Sequence, residues 1–345
     1  MSKFIKELKF INRIKEKEYL NRYLSNLPNS ILFLYGPKSC GKSTLIKRIV
    51  QDLNQKKYAV NFIDLRGVSI SNFKSFVDVF FQKNIKQKTK EILAGITLNI
   101  GFFKIGINDE EMLKKNYFKI MEDQIRSARK KGIYPVIIID EIQGLKSIYL
   151  NGGKVLLDEL FNLFIRLTKV ENLAHVILAT SDSYFIDEIY NNAKLAQTSE
   201  IHLINHLSED DVVKWLSVRD YNFSLEDIKL IYYYFGGSPW EIQQIILEFS
   251  SPQVNLEDLI KRRIKDLEGR VFNFYEDFLN QEEKKIFIKI CKYIHKNGFY
   301  KRTRDDKLSD LIKKAIEKDF WFYHVAERKI FANARSLEFA FSVLW

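Results

Sequence analysis

Short apolar runs alternate with longer amphipathic stretches through the first two hundred residues. The runs are SILFLY (30–35), YAVNFIDL (58–65), PVIIID (135–140), HVILAT (175–180) and EIHLI (200–204). Their length and apolar character predict strands, and the stretches between them carry the spacing of helices. Strand and helix in alternation predict an α/β fold, with a five-stranded parallel sheet covered by helices on both faces. Between the second and third strands, Ile96, Leu98 and Ile100 alternate before Gly101, and Phe103, Ile105 and Ile107 alternate after it. That pattern predicts a small hairpin, serving as a flap over the core or as a contact for a partner. Alternating apolar residues usually bury one face, which favours the flap.

Beyond the fifth strand the pattern turns helical. Ser208 with Asp211, and Ser224 with Asp227, place a capping side chain three positions before an acidic one and mark two helix starts. GGSPWEI (236–242) ends one helix with glycine and begins the next at Pro239. This predicts a helical lid over 205–268, following a nucleotide-binding domain over 1–204. In the remaining unit, 269–345, Asn280 and Glu283 start a helix that carries Ile286, Phe287, Ile290, Cys291 and Ile294 on one face and stops at Gly298. A second helical pattern runs through Leu308, Leu311, Ile312, Ala315 and Ile316, and WFYHVAERKIFA then reads as two short strands round a charged turn. Helices followed by such a hairpin suggest a winged helix.

A chain of 345 residues, 46% of them hydrophobic, is large enough for two or three domains with proper cores. Its 55 basic against 44 acidic residues give a net charge of +11, a bias compatible with nucleic acid or an acidic partner. Only Cys40 and Cys291 occur, too few for a disulfide framework, which points to a reducing compartment. The first twenty residues are broken by charge throughout and contain neither a signal-peptide core nor a spanning segment, so we expect a soluble cytoplasmic protein with no membrane partner. With 5 prolines and 14 glycines, long flexible linkers are not expected and the domains should abut.

The stretch GPKSCGKST (36–44) fits G-x-x-x-x-G-K-[ST] between a strand and an amphipathic helix. Gly36 and Gly41 allow successive backbone amides to curl round a phosphate, and the helix N-terminus adds partial positive charge. Lys42 would reach the outer phosphates of ATP or ADP, and the Ser43 hydroxyl would ligate Mg2+. Pro37, Lys38, Ser39, Cys40 and Thr44 complete the cradle, Ser39, Cys40 and Thr44 mainly through backbone amides. Hydrolysis also needs a metal-side carboxylate and a group that orients or deprotonates water. VIIIDEIQ offers both, with Asp140 toward the metal held by Ser43 and Glu141 as general base. Thr180 or Ser181, at the carboxyl end of the fourth strand, would sense the γ-phosphate or hold the water.

Taken in order, FINRIKEKEYL (10–20), GPKSCGKS, VIIIDEIQ, VILATSDS and the GGSP segment resemble the archaeal ATPases of the STAND-like branch of AAA+ proteins. The resemblance covers most of the chain, and the two Walker motifs are its specific part. It implies sheet order 5-1-4-3-2, a helical lid and a C-terminal winged helix. It also implies that Phe10, Asn12 and Arg13 lie near the adenine and that Pro239 approaches the nucleotide from the lid. The arginines that ring-forming AAA+ enzymes carry before the fifth strand and on the lid helix are missing, since no arginine occurs between Arg166 and Arg219 and the lid helix reads EIQQIILEF. Slow turnover follows, unless Lys194 or a partner substitutes.

Two functions emerge, with a third reading disfavoured. One is an ATP-driven switch whose lid and winged helix hide or expose a surface for a protein partner. Another is an ATP-dependent DNA-binding protein using KRRIKDLEGR (261–270) and KNGFYKRTRDDK (296–307), with Arg262, Arg263, Arg302 and Arg304 on phosphates, although Asp266, Glu268, Asp305 and Asp306 dilute that charge. A nucleotide-binding scaffold that never turns over is disfavoured by Glu141.

Overall fold

The computed structural model describes residues 13–345 except 54–55, 69, 84–91, 94–95, 98–102, 106–116, 151–152, 218–220, 250–254 and 303–305. Helix α1 (Ile14–Ser25) precedes β1 (Ile31–Tyr35), α2 (Lys42–Asp52), β2 (Tyr58–Asp64), α3 (Phe73–Phe80), α4 (Tyr117–Lys130) and β3 (Tyr134–Asp140). Then come α5 (Leu156–Ile165), β4 (His175–Thr180), α6 (Ser183–Tyr190) and β5 (Ser199–Leu203). The five strands form one parallel sheet of order β2-β3-β4-β1-β5, which is the predicted topology.

Side chains alternate between two apolar layers. Phe33, Ile137, Ile139 and Leu178 face one cluster, while Leu32, Leu34, Ile138 and Ile177 face another that α1 and α2 cover with Leu20, Leu24, Leu45, Ile46 and Ile49. Both faces of the central strands are therefore dry, which is why those strands read as unbroken apolar runs. The register aligns Asp64 with Asp140, Asp140 with Ala179, and Tyr35 with both Thr180 and Leu203. All the strands thus deliver their carboxyl ends to one edge.

In the segment of the predicted flap, the described residues show Leu93 paired with Ile96 and Lys83 paired in parallel with Ile105. Leu98, Ile100, Gly101 and Ile107 lie outside the described residues. Phe103 is fully buried against Phe80 and Phe81, as a segment covering the core would be.

The lid comprises α7 (Glu209–Leu216), α8 (Leu225–Phe235) and α9 (Pro239–Phe249) round its own cluster, which includes Val212, Ile231, Ile242 and Ile245. Ser208 and Ser224 cap α7 and α8 as their spacing predicts, with amides of Asp211 and Asp227 donating at 3.2 and 3.0 Å. Helix α10 (Leu256–Phe278) is shared. Leu256, Leu259 and Ile260 pack into the lid, whereas Val271 and Phe274 pack into the cluster beneath the sheet. The predicted boundary at 268/269 therefore falls inside a continuous helix.

The last unit comprises α11 (Gln281–Asn297), β6 (Tyr300–Lys301), α12 (Asp306–Glu317), β7 (Trp321–His324), β8 (Lys329–Ala332) and α13 (Arg335–Ala340). Asn280 and Glu283 form a full capping box, Cys291 is buried, and Gly298 ends α11 at φ +79°. The strands form an antiparallel sheet of order β6-β8-β7. A single helix stands between β6 and β7 among the described residues, where a helix-turn-helix would have two. Phe287, Trp321 and Phe341 join the same apolar cluster as Phe33 and Ile139, so this unit and the sheet share one core. No described helix is long and apolar enough to cross a membrane.

Candidate nucleotide and metal site

The loop after β1 needs its glycines for two different reasons. A Cβ on Gly36 would stand 1.9 Å from the carbonyl oxygen of Ile204, so only glycine permits this approach to the end of β5. Gly41 adopts φ +94°, and Ser39 is also left-handed at φ +63°. Such turns direct consecutive amides into a concavity suited to an anion, with α2 beginning at Lys42 directly behind it. Lys42 is buried, and its Nζ donates to the carbonyl oxygens of Gly36 (2.8 Å) and Pro37 (2.9 Å). Cys40 is fully buried beneath the loop: its thiol donates to Ile204 O at 3.1 Å and its amide to Pro37 O at 3.3 Å. The side chain of Thr44 points to solvent.

Two further elements reach this loop. The buried guanidinium of Arg13 donates to the carbonyl oxygens of Cys40 and of Asn205 (2.9 Å) and pairs with Glu16 at 2.8 Å. A Cβ on Gly41 would lie 3.9 Å from Arg13 Nε and 3.8 Å from Pro239 Cγ. Residues 13, 41 and 239, distant in sequence, therefore meet. Phe10 and Asn12 lie outside the described residues.

On the other side of the loop stands a cluster that sequence reasoning named only in part. Asp140 ends β3 with no exposure, and its register partner Asp64 ends β2. Arg66, two residues past Asp64, donates through Nη2 to Ser43 Oγ at 2.7 Å and to Asp140 Oδ2 at 2.9 Å. The same guanidinium holds Asp64 through Nε (2.9 Å) and Nη2 (2.8 Å). Burial pushes the Asp140 carboxyl up, against the pull of the Ser43 hydroxyl and Arg66. Burial also acts upward on Asp64, but the direct Arg66 pairing outweighs it and holds that carboxyl below its usual range. Ser43 and Asp140 thus share a cation, and an oxygen donor set of hydroxyl and carboxylate suits Mg2+ in its place.

Glu141 has a left-handed backbone at φ +59°, uncommon for a residue with a side chain. That conformation turns it away from Asp140 toward β4. Its Oε2 accepts from Ser181 Oγ (2.9 Å), Ser181 N (3.3 Å) and Gln143 Nε2 (2.6 Å). Thr180 instead donates to Gln143 Oε1 at 2.6 Å and accepts from the amide of Asp182 at 2.9 Å. Of the two candidates at the end of β4, Ser181 touches Glu141 directly and Thr180 acts on it through Gln143.

The C-terminal unit also touches the loop. The amide of Lys38 donates to Asn333 Oδ1 at 3.1 Å, and its Nζ pairs with Asp319. His206, just past β5, lies 2.8 Å from the carbonyl oxygen of Asn333, and Tyr323 N donates to Ser183 Oγ at 3.0 Å. Lys194 is exposed in the turn leading into β5, where neighbouring Thr198 receives the amide of Ile31 at the start of β1. Within its own chain it stands at the amino-terminal edge of the sheet, opposite the loop. Arg66, Gln143 and the Lys38 contacts were not anticipated. For Arg66 the signal was DLRG, an arginine at the carboxyl edge where ligands gather in such sheets.

Comparison with known proteins places the chain in a family. Residues 10–245 match the model of an ATPase domain found predominantly in Archaea. Two proteins of Methanocaldococcus jannaschii described as ATP-binding proteins are 38% and 37% identical to the chain, over 92% of it and 94% and 92% of their own lengths. A Walker-type ATPase of Pyrococcus abyssi superposes with a TM-score of 0.67 at 15% identity, covering 99% of both chains, and so shares the fold.

Proposed function

The chain belongs to the family of ATPase domains found predominantly in Archaea, and from that premise we propose that it is a slow Mg-ATP hydrolase whose nucleotide state controls the docking of its C-terminal unit. Gly36 to Thr44 would cradle the phosphates with backbone amides, and Lys42 would exchange the carbonyls of Gly36 and Pro37 for the outer phosphates. Ser43 and Asp140 would hold Mg2+, which when bound supplies charge neutralisation for the phosphates. Glu141, fixed by Ser181 and Gln143, would take a proton from the attacking water. Arg13 and Pro239 would border the nucleotide from α1 and the lid. No arginine enters from the lid helix, which supports slow turnover.

The observation that carries the switch is the hold of Asn333 and Asp319 on Lys38. A ligand that rearranges the loop must also act on the unit bound to it, and the reverse follows by linkage. The test is hydrogen exchange of residues 319–333 in the Glu141→Gln protein with ATP and with ADP. We expect faster exchange in one nucleotide state than in the other, and equal exchange in both would end the switch reading.

A second reading places a nucleic acid on the C-terminal unit. Arg262 and Arg263 both pair with Glu248, and Arg302 pairs with Asp187 at 2.7 Å, so these arginines are engaged within the chain. Arg304 lies outside the described residues. What favours the reading is a different feature, the exposed row Lys285, Lys289, Lys292 and Lys296 along α11 beside exposed Tyr293.

A further inference from the structure

We propose that Arg66 is a built-in cation that holds the metal position between Ser43 and Asp140 and yields it only when a nucleotide phosphate arrives with the metal. Arg66 Nη2 stands 2.7 Å from Ser43 Oγ and 2.9 Å from Asp140 Oδ2. Magnesium contacts its oxygen ligands at about 2.0–2.1 Å, so one position between these two atoms cannot hold both the ion and the guanidinium. The two occupants are mutually exclusive.

The consequences follow from charge. Asp140 is without exposure, and a buried carboxylate needs a compensating cation. Arg66 is that cation, held in place by its forked grip on Asp64. A divalent ion arriving alone must break the Arg66 contacts to gain one hydroxyl and one carboxylate. With nucleotide, phosphate oxygens add ligands for the ion and offer the released guanidinium a new anionic partner. The Arg66 side chain is 50% exposed, so it can swing aside while Asp64 retains it. Arg66 therefore makes metal entry conditional on nucleotide, and it supplies from β2 an arginine beside the phosphates that the lid does not provide.

This inference rests on the Mg-nucleotide reading of the site, and its test separates the two. Mn2+ binding to the full chain without nucleotide is followed by the electron paramagnetic resonance signal of free Mn2+. We expect Arg66→Ala and Arg66→Gln each to bind Mn2+ at least tenfold more tightly than the parent. Lys47→Ala removes a charge that also acts on Asp64, while among the described residues its ammonium makes no hydrogen bond or ion pair with the Ser43 hydroxyl or the Asp140 carboxylate, and it should change Mn2+ affinity less than threefold. In parallel, a fluorescent ADP analogue is titrated with Mg2+ and with EDTA. Arg66→Ala should lose at least tenfold affinity in EDTA and much less in Mg2+. If the analogue binds the parent but both Arg66 variants keep the parent's Mn2+ affinity, or Lys47→Ala reproduces their gain, the inference is overturned. If the analogue does not bind the parent at all, the nucleotide reading itself fails and the inference with it.

Discussion

A glutamate held in a left-handed backbone costs on the order of 1 kcal/mol or more, and here the surrounding contacts maintain it. Ser181 and Gln143 converge on Oε2 of Glu141, and Thr180 fixes Gln143 in turn. Because Asp140 faces Ser43 and Arg66 while Glu141 faces Ser181, the two adjacent carboxylates should fail differently. Glu141→Gln is expected to keep ATP and Mg2+ affinity and lower single-turnover hydrolysis by about 10²- to 10⁴-fold, the usual worth of a positioned base. Asp140→Asn should instead change the Mg2+ concentration needed for both binding and turnover. Parental hydrolysis by the Glu141→Gln protein would remove Glu141 as the base. Lys42→Ala should lose most ATP affinity with the fold retained, and unchanged binding would contradict the phosphate role. At this scale the sequence was legible where a motif is contiguous. GPKSCGKST and VIIIDEIQ declare their chemistry by local order. Arg66 did not, because its partners come from other elements, Ser43 from the start of α2 and Asp140 from the end of β3, and the β2–β3 register that sets Asp140 beside Asp64 is decided by tertiary packing.

Elements were legible to the extent that their signals are local. Unbroken apolar runs became the central strands, and the capping residues Ser208, Ser224 and Asn280 stand at helix starts. The segment between β2 and β3 was legible only in part: Phe103 is buried against Phe80 and Phe81, while Ile96 and Ile105 take Leu93 and Lys83 as partners, which alternation alone does not specify. In the basic runs the sequence leaves more open, since charge in a sequence does not reveal its partner. Glu248 takes up both Arg262 and Arg263 across the α9–α10 pair. On α11, by contrast, no ion pair joins Lys285, Lys289, Lys292 or Lys296 to an acid among the described residues, and the four repeat at helical spacing. If duplex DNA binds the C-terminal unit, log affinity should fall linearly with log salt. Replacing two of these lysines by glutamine should reduce that slope by roughly two. Replacing Arg262 and Arg263 should leave the slope nearly unchanged. No binding at low salt would leave the lysine face to water.

For the whole molecule, the joints between units carry buried groups whose protonation bears on whether the units stay together. Glu241, at the start of α9 in the lid, is almost fully buried against α13 of the C-terminal unit, where Ser336 Oγ donates to its Oε1 at 2.5 Å. Burial pushes its carboxyl up to about 7, against the hydrogen bonds of Ser336 and Ser238 and the charges of Arg263 and Arg270. Across the other joint, burial depresses His206 to about 4 beside Asn333. The signs are opposite. Between the ordinary carboxylate value and about 7 the folded chain retains a proton on Glu241 that the unfolded chain has lost, so this group's stabilisation is complete at low pH and disappears as pH rises through that window. His206 behaves inversely. Below the ordinary histidine value the unfolded chain binds a proton that the folded chain refuses, so its contribution is present at neutral pH and lost as pH falls toward 4. In the overlap, near pH 5 to 6.5, the two slopes oppose each other and the parent should show little dependence from this pair. Substitution separates them. Glu241→Gln keeps the oxygen that receives Ser336 and abolishes the titration, so its stability relative to the parent should rise between pH 5 and pH 8. A shift of one pKa unit corresponds to about 1.4 kcal/mol, which puts that gain on the order of 3 kcal/mol. Urea unfolding of both proteins at the two pH values measures it. A difference between variant and parent that is the same at pH 5 and pH 8 would mean that Glu241 does not titrate between these values at the lid joint, and that its contribution there does not depend on pH.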